Sequence, residues 1–176
     1  MNAIQRKSAV FVLLAALLST AGISAKASAS AASEPAADSA ADVAKVVWHA
    51  DFADPRRFSA MLTSIFNMVN TFEQSLQDHD VRIVFNAHGI RFLTDDTLKG
   101  TPFEEDAAMK ERRTDLKDRL RSLRDTYGVK LELCEITREQ IGLDKSKIYD
   151  GVQSVCSGVV RIAELQRQGF AYIKVE

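Results

Sequence analysis

Cysteine and histidine are the residues of this 176-residue chain best suited to nucleophilic or soft-metal chemistry, and it has only two cysteines. One of them, Cys134, stands in LELCEIT, residues 131–137, where a predicted strand gives way to a predicted helix. A thiol near a helix N-terminus ionises more easily, and the thiolate is the reactive form. The residues alone leave three roles open for Cys134: a working thiol, an inert buried side chain, or one half of a disulfide with Cys156.

Further candidate residues stand at the ends of the other predicted strands. These are His49 after the first strand, Asn86, His88 and Gly89 after the second, and Cys156 and Ser157 after the fourth. In open α/β sheets the functional crevice lies beyond the carboxyl ends of the strands. We therefore expect these residues and Cys134 to share one edge of a sheet.

Metal and cofactor chemistry find little support in the motifs. A soft metal site from His88, Cys134 and Cys156 is chemically reasonable, but their spacing matches no metal-binding motif. The chain has neither a G-x-G-x-x-G after the first strand nor a P-loop, which removes the main support for nucleotide binding. We therefore expect no cofactor and no metal.

An alternation of strands and helices must position the candidate residues. Apolar runs predict strands over 45–50, 81–87, 129–136, 152–156 and 170–175, and three- and four-residue spacings predict helices over 54–77, 101–128 and 158–168. Thr101 with Glu104, and Thr137 with Gln140, predict capping boxes that open helices. The charges along 101–128 are typical of a solvated face. The pattern predicts an α/β domain with a mainly parallel sheet.

The N-terminal residues predict export. Arg6 and Lys7 precede the apolar run 9–23, and A-x-A sites for cleavage follow, after Ala27 or after Ala29. The run is shorter than the roughly twenty residues that a membrane span needs. We expect a signal peptide over 1–29, a flexible Ala/Ser-rich linker over 30–43 and one α/β domain over 44–176. The mature protein would be periplasmic and would not span the membrane.

The charge balance argues against nucleic acid as a partner. The full chain has a net charge of −1, and residues 1–29 contain three basic groups and no acidic one. Loss of that segment takes the net charge to −4. A mildly acidic domain lacks the basic surface that nucleic-acid binding requires.

The stretches KVVWHAD, SIFNMVN, VRIVFNAHGI, YGVKLELCEIT and CSGVVRIAELQRQGFAYIKV give the chain a family resemblance. Over about 45–175 it resembles the DsrE/DsrF-like family. The resemblance implies a three-layer α/β/α fold, a five-stranded sheet of order 4-3-2-1-5 and homo-oligomers, as trimers or hexamers. It also implies relay of sulfur as a persulfide, with the sulfur-carrying cysteine at Cys134.

Three functions follow as hypotheses. The first is a periplasmic sulfur carrier with Cys134 as nucleophile, His88 as a stabiliser of the sulfur anion and Cys156 as a resolving or bridging thiol. In that case His49, Asn86, Gly89 and Ser157 would contact the substrate, while the sulfur donor and acceptor stay open. The second is a non-catalytic oligomeric module that binds a small ligand or a soft metal. The third is a dithiol redox protein that uses Cys134 and Cys156.

Overall fold

The computed structural model describes residues 43–175. The predicted signal peptide and the predicted linker up to residue 42 lie outside the described residues. The strands are β1 (Ala44–Ala50), β2 (His79–Phe85), β3 (Lys130–Cys134), β4 (Val152–Val155) and β5 (Ala171–Ile173). The α-helices are α1 (Pro55–Gln74), α2 (Ala107–Tyr127), α3 (Glu135–Gln140) and α4 (Gly158–Arg167). Within residues 43–175, no helix combines the length and apolar character that crossing a bilayer requires.

The five strands form one parallel sheet in the order β4-β3-β2-β1-β5. The predicted order and the predicted parallel sheet are both confirmed. The register pairs Ala50 with Phe85, and Phe85 with Leu133. The carboxyl ends of β1, β2 and β3 therefore lie side by side at one edge of the sheet.

The two faces of the sheet pack against different helices, because successive residues of a strand point to opposite sides. Trp48 packs in the larger core with Phe58 of α1 and Leu120 of α2. Val47, its neighbour in the chain, packs in a smaller core with Leu165 of α4. The predicted three-layer α/β/α architecture is confirmed.

A buried carboxylate ties α4 to its face of the sheet. Glu132 of β3 is fully buried and accepts hydrogen bonds from Arg82 of β2 at 2.8 Å and from Arg161 of α4 at 2.7 Å and 2.9 Å. Burial raises the pKa of Glu132, but the bonds and charges of the two arginines outweigh it, so the net pKa lies below its ordinary value. The ion pairs hold the N-terminal half of α4 against β3.

The second long helix begins later than the capping pattern predicts. Asp106 caps α2, and its carboxylate accepts a backbone N–H at 2.8 Å. The hydroxyl of Thr101 instead accepts the N–H of Phe103 at 3.1 Å, and the carboxylate of Glu104 accepts the N–H of Gly100 at 2.9 Å. The predicted start at Thr101 is wrong, because these two side chains close turns in the loop before α2.

A 3-10 helix over Ala87–Phe92 replaces the predicted end of the second strand. A Cβ added at Gly89 would lie 2.0 Å from the carbonyl oxygen of Ala50, so only glycine fits there. The N–H of Gly89 donates to the carbonyl of Asn86 at 2.9 Å and closes the turn. His88 consequently lies in this 3-10 helix and not at the end of β2.

The helix after Cys134 also begins elsewhere than predicted. The capping box of Thr137 and Gln140 is absent, because α3 begins at Glu135 with Cys134 in the N-cap position. The Thr137 hydroxyl accepts the N–H of Ala87 at 3.1 Å and joins α3 to the 3-10 helix. This hydroxyl therefore serves a long-range contact in place of a local cap.

Glu135 fastens the start of α3 to its surroundings. Its carboxylate accepts hydrogen bonds from Arg138 at 2.7 Å and 3.2 Å, and it also contacts Ser154 of β4 and Lys145. The hydrogen bonds from Arg138, followed by that from Ser154, lower the pKa of Glu135 to about 2. The carboxylate thus stays ionised through most of the acid range.

Replacing Gly89 by alanine should destabilise the fold, because the new Cβ would overlap the Ala50 carbonyl. We expect a loss of about 3–5 kcal/mol in the free energy of unfolding, measured by urea denaturation. Gly142→Ala is the control, since an added Cβ there meets open space and only the positive φ of 64° opposes it. That strain costs about 1–2 kcal/mol. Equal losses in the two variants would contradict the close approach at Gly89.

Glu135→Gln should flatten the acid limb of the stability profile. A pKa that is lower in the folded state adds stability above the unfolded value of 4.5, and this stability is lost as the pH falls towards about 2. The partly exposed carboxylate should contribute about 1–3 kcal/mol. Urea unfolding at pH 6 and pH 2.5 measures the difference, with Glu139→Gln on the exposed face of α3 as control. An unchanged pH dependence in Glu135→Gln would contradict this role.

Candidate functional site at the carboxyl edge of the sheet

Cys134 and Asn86 lie at the same level of the sheet. Each follows directly after one member of the register pair Phe85 and Leu133. Cys134 is 6% exposed and ends β3. The strand-end rule therefore brings these two predicted residues together, as the sequence analysis expects.

The N-terminus of α4 covers this pair through Gly158. A Cβ added at Gly158 would lie 3.2 Å from the Cβ of Cys134 and 3.3 Å from the Cβ of Asn86. The β-carbons of Cys134 and Asn86 are therefore no more than about 6.5 Å apart. Ser157 caps the helix as predicted, and its hydroxyl accepts the N–H of Val160 at 3.5 Å. The close approach of α4 helps to bury Cys134.

His49 is held on both ring nitrogens. Its Nε2 lies 2.7 Å from Oδ1 of Asn86, and its Nδ1 lies 2.9 Å from the hydroxyl of Tyr172 on β5. Since Oδ1 only accepts, Nε2 carries the hydrogen, and in the neutral ring Nδ1 accepts from the tyrosine. His49 thus holds the side-chain amide of Asn86, the residue beside Cys134 at this edge.

The carboxylate of Asp51 lies close to the ring of His49. Oδ2 of Asp51 is 3.9 Å from Nε2 of His49 and 2.9 Å from the ammonium of Lys174. Partial burial raises the pKa of Asp51, but the hydrogen bond from Lys174 and the charges of Lys174 and His49 bring it below the ordinary value. Asp51 is therefore ionised at neutral pH.

His88 has a different environment from the other candidates. Its ring meets that of Phe103 edge to face at 5.1 Å, and its Nδ1 is buried with no hydrogen-bond partner among the described residues. None of the contacts found within residues 43–175 joins His88 to Cys134. Its role as a stabiliser of a sulfur anion stays a prediction.

Cys156 and Cys134 are free thiols with unequal exposure. Cys134 is buried and Cys156 is exposed. The register pairs Cys134 with Val155, so Cys156 lies one residue beyond the partner position. Within the described part of the chain, no three His, Cys, Asp or Glu side chains converge as metal ligands. The structure therefore does not gather His88, Cys134 and Cys156 into a metal site.

Several residues of this edge escape the sequence analysis. Asp51 directly follows β1, and the strand-end rule could have found it. Gly158 and Tyr172 carry no local signal, because their roles come from contacts with residues distant in sequence. Gly89 supports the backbone at the edge, and a contact of Gly89 or Ser157 with substrate stays a prediction.

Comparison with known proteins identifies the fold and the family. No curated protein matches the chain. A protein of unknown function, MTH1491 from Methanobacterium thermoautotrophicum, is similar in structure, with a TM-score of 0.53 and 24% identity over 74% of this chain and 98% of its own. The ychN protein from E. coli gives a TM-score of 0.46 and 17% identity over 75% of this chain and 99% of its own.

The likeness to MTH1491 shows the fold alone. The family follows from sequence, because the sequence model of the DsrE/DsrF-like family matches residues 14–175, most of the chain. The chain therefore belongs to the DsrE/DsrF-like family.

Proposed function

We propose that this protein is a periplasmic sulfur carrier that holds sulfane sulfur as a persulfide on Cys134. The observation that carries the proposal is the meeting of Cys134, Asn86 and the N-terminus of α4 at the carboxyl edge of the sheet. Membership of the DsrE/DsrF-like family supports a function of the sulfur-relay type.

The proposed loading step is a displacement at sulfur. The Cys134 thiolate attacks the outer sulfur of a sulfane donor such as thiosulfate. A new S–S bond forms on Cys134, the S–S bond of the donor breaks, and sulfite leaves with the electron pair. The product is a perthiolate with one negative charge, so the total charge is conserved. Because Cys134 is only 6% exposed, a donor with an unsubstituted terminal sulfur suits this thiol best.

Two sets of N–H donors belong to the elements that meet at Cys134 and would stabilise an anion there. The side-chain oxygen of Asn86 is engaged by His49, so the amide N–H groups remain for the sulfur. The first N–H groups of α4, at Gly158 and Val159, have no acceptor within the helix. Hydrogen bonds of this kind favour the charged form of the group that receives them.

The geometry favours a carrier over a dithiol redox protein. A bridge would require the buried Cys134 and the exposed Cys156 to approach, although the register pairs Cys134 with Val155. A resolving role needs a smaller approach, because the outer sulfur of a persulfide lies about 2 Å beyond the Cys134 sulfur. In that role the exposed Cys156 attacks the outer sulfur and accepts it, and the Cys134 thiolate leaves. Export and a homo-oligomer, as a trimer or a hexamer, belong to the same proposal. Exposed apolar side chains close in sequence to Cys134 and Gly158 support assembly there: Ile136, Val159 and Val160.

Thiosulfate or polysulfide should convert Cys134 to a persulfide. Peptide mass spectrometry of the mature protein should show an addition of about 32 Da on Cys134, as persulfidation requires. Cys134→Ser should lose the addition, whereas Cys156→Ser should keep it on Cys134. No addition in the wild type, or an equal addition in Cys134→Ser, would contradict the proposal.

Asn86→Asp should slow alkylation of Cys134, because it replaces the amide donor by a negative charge while preserving the acceptor for His49. In a Cys156→Ser background, we expect the rate with iodoacetamide at pH 7.5 to fall at least about tenfold. Asn70→Asp on α1 introduces the same charge on another element and should leave the rate almost unchanged. Equal alkylation rates in Asn86→Asp and Asn70→Asp would contradict a role for the Asn86 amide in stabilising the thiolate.

A further inference from the structure

Basic residues of α2 gather around a cavity away from Cys134. Lys117, Arg121 and Arg124 are four and three residues apart, so they share one face of the helix. Together with Lys147, the last residue of the short 3-10 helix Lys145–Lys147, they line a cavity of about 310 Å³. These three residues of α2, which the sequence predicts to lie on a solvated face, therefore line one cavity.

The lining of this basic cavity holds more cationic than anionic side chains. Its four cations face two carboxylates, those of Asp95 and Asp150. Lys117 pairs with Asp95 and lies 4.5 Å from the ring centroid of Tyr149. Arg124 pairs with Asp125, which is not part of the lining.

Two of the four cations, Arg121 and Lys147, have no carboxylate of the described residues in close contact. Within residues 43–175, no carboxylate forms a salt bridge of 4.0 Å or less with the guanidinium of Arg121, although its charge acts on Asp125 over a longer distance. The side chain of Lys147 is 59% exposed, and its ammonium lies 4.0 Å from the carboxylate of Asp96. Arg121 and Lys147 can therefore turn towards a ligand without breaking a close ion pair.

We propose that the basic cavity binds a small tetrahedral oxyanion with at least two negative charges. The planar fork of an arginine matches two terminal oxygens, and a lysine adds a point charge. Arg121 and Lys147 would supply these contacts, and the hydroxyl of Ser146 lies in the same lining. The volume admits one or two linked tetrahedral groups, so pyrophosphate should bind more tightly than phosphate.

Isothermal titration with pyrophosphate, phosphate and thiosulfate tests the site at an ionic strength matched with sodium chloride. We expect pyrophosphate to bind with a dissociation constant below about 1 mM. Arg121→Gln and Lys147→Gln should each weaken binding at least about fivefold, because each removes a charged donor. Lys110→Gln, an equal change of charge on α2 outside the cavity, should have less than about a twofold effect.

The three anions also distinguish the chemical class. Binding of thiosulfate without either phosphate would assign the cavity to sulfur oxyanions and would still support an oxyanion site. Thiosulfate is titrated into Cys134→Ser, where it cannot react with the thiol. Cys134→Ser should bind phosphate and pyrophosphate as the wild type does, so loss of persulfide chemistry and loss of this site are separable. Binding of none of the three, or equal weakening by Lys110→Gln and Arg121→Gln, would overturn the proposal.

Discussion

The approach of α4 to the strand ends is the contact on which the candidate site depends. Gly158 brings the first turn of the helix over Cys134 and Asn86, where an added Cβ would crowd their β-carbons at 3.2 Å and 3.3 Å. Gly89 plays the same part at the end of β1, against the Ala50 carbonyl. These two glycines let backbone, and not side chains, close the carboxyl edge of the sheet.

The ion pairs of Glu132 hold that approach in register. The core on the α4 face is small, and its buried members are Val47, Val84, Ile162, Leu165 and Phe170. A buried carboxylate costs free energy unless it is paired, and here two arginines from different elements pair it. Such a network fixes one orientation of α4 more strictly than a few apolar contacts would, and the orientation sets the distance from Gly158 to the thiol.

Sequence alone predicts the sheet and the main site residues, because both follow from local patterns. Apolar runs predict five strands, and the rule for strand ends selects Cys134, Asn86 and His49. The order of the strands comes from the family resemblance and not from periodicity. Thr101 and Thr137 mislead, because a hydroxyl that fits a capping box can satisfy another N–H once the chain folds. Tyr172 is missed because its partner, His49, is 123 residues away.

The central claim is that Cys134 carries sulfur in the compartment where the protein works. Rapid alkylation of cells that produce the protein, followed by peptide mass spectrometry of Cys134 without any added donor, tests it most directly. The account predicts that part of Cys134 is recovered as an alkylated persulfide, with an extra mass of about 32 Da over the alkylated thiol. Recovery of Cys134 only as thiol, or only as a disulfide with Cys156, would contradict it.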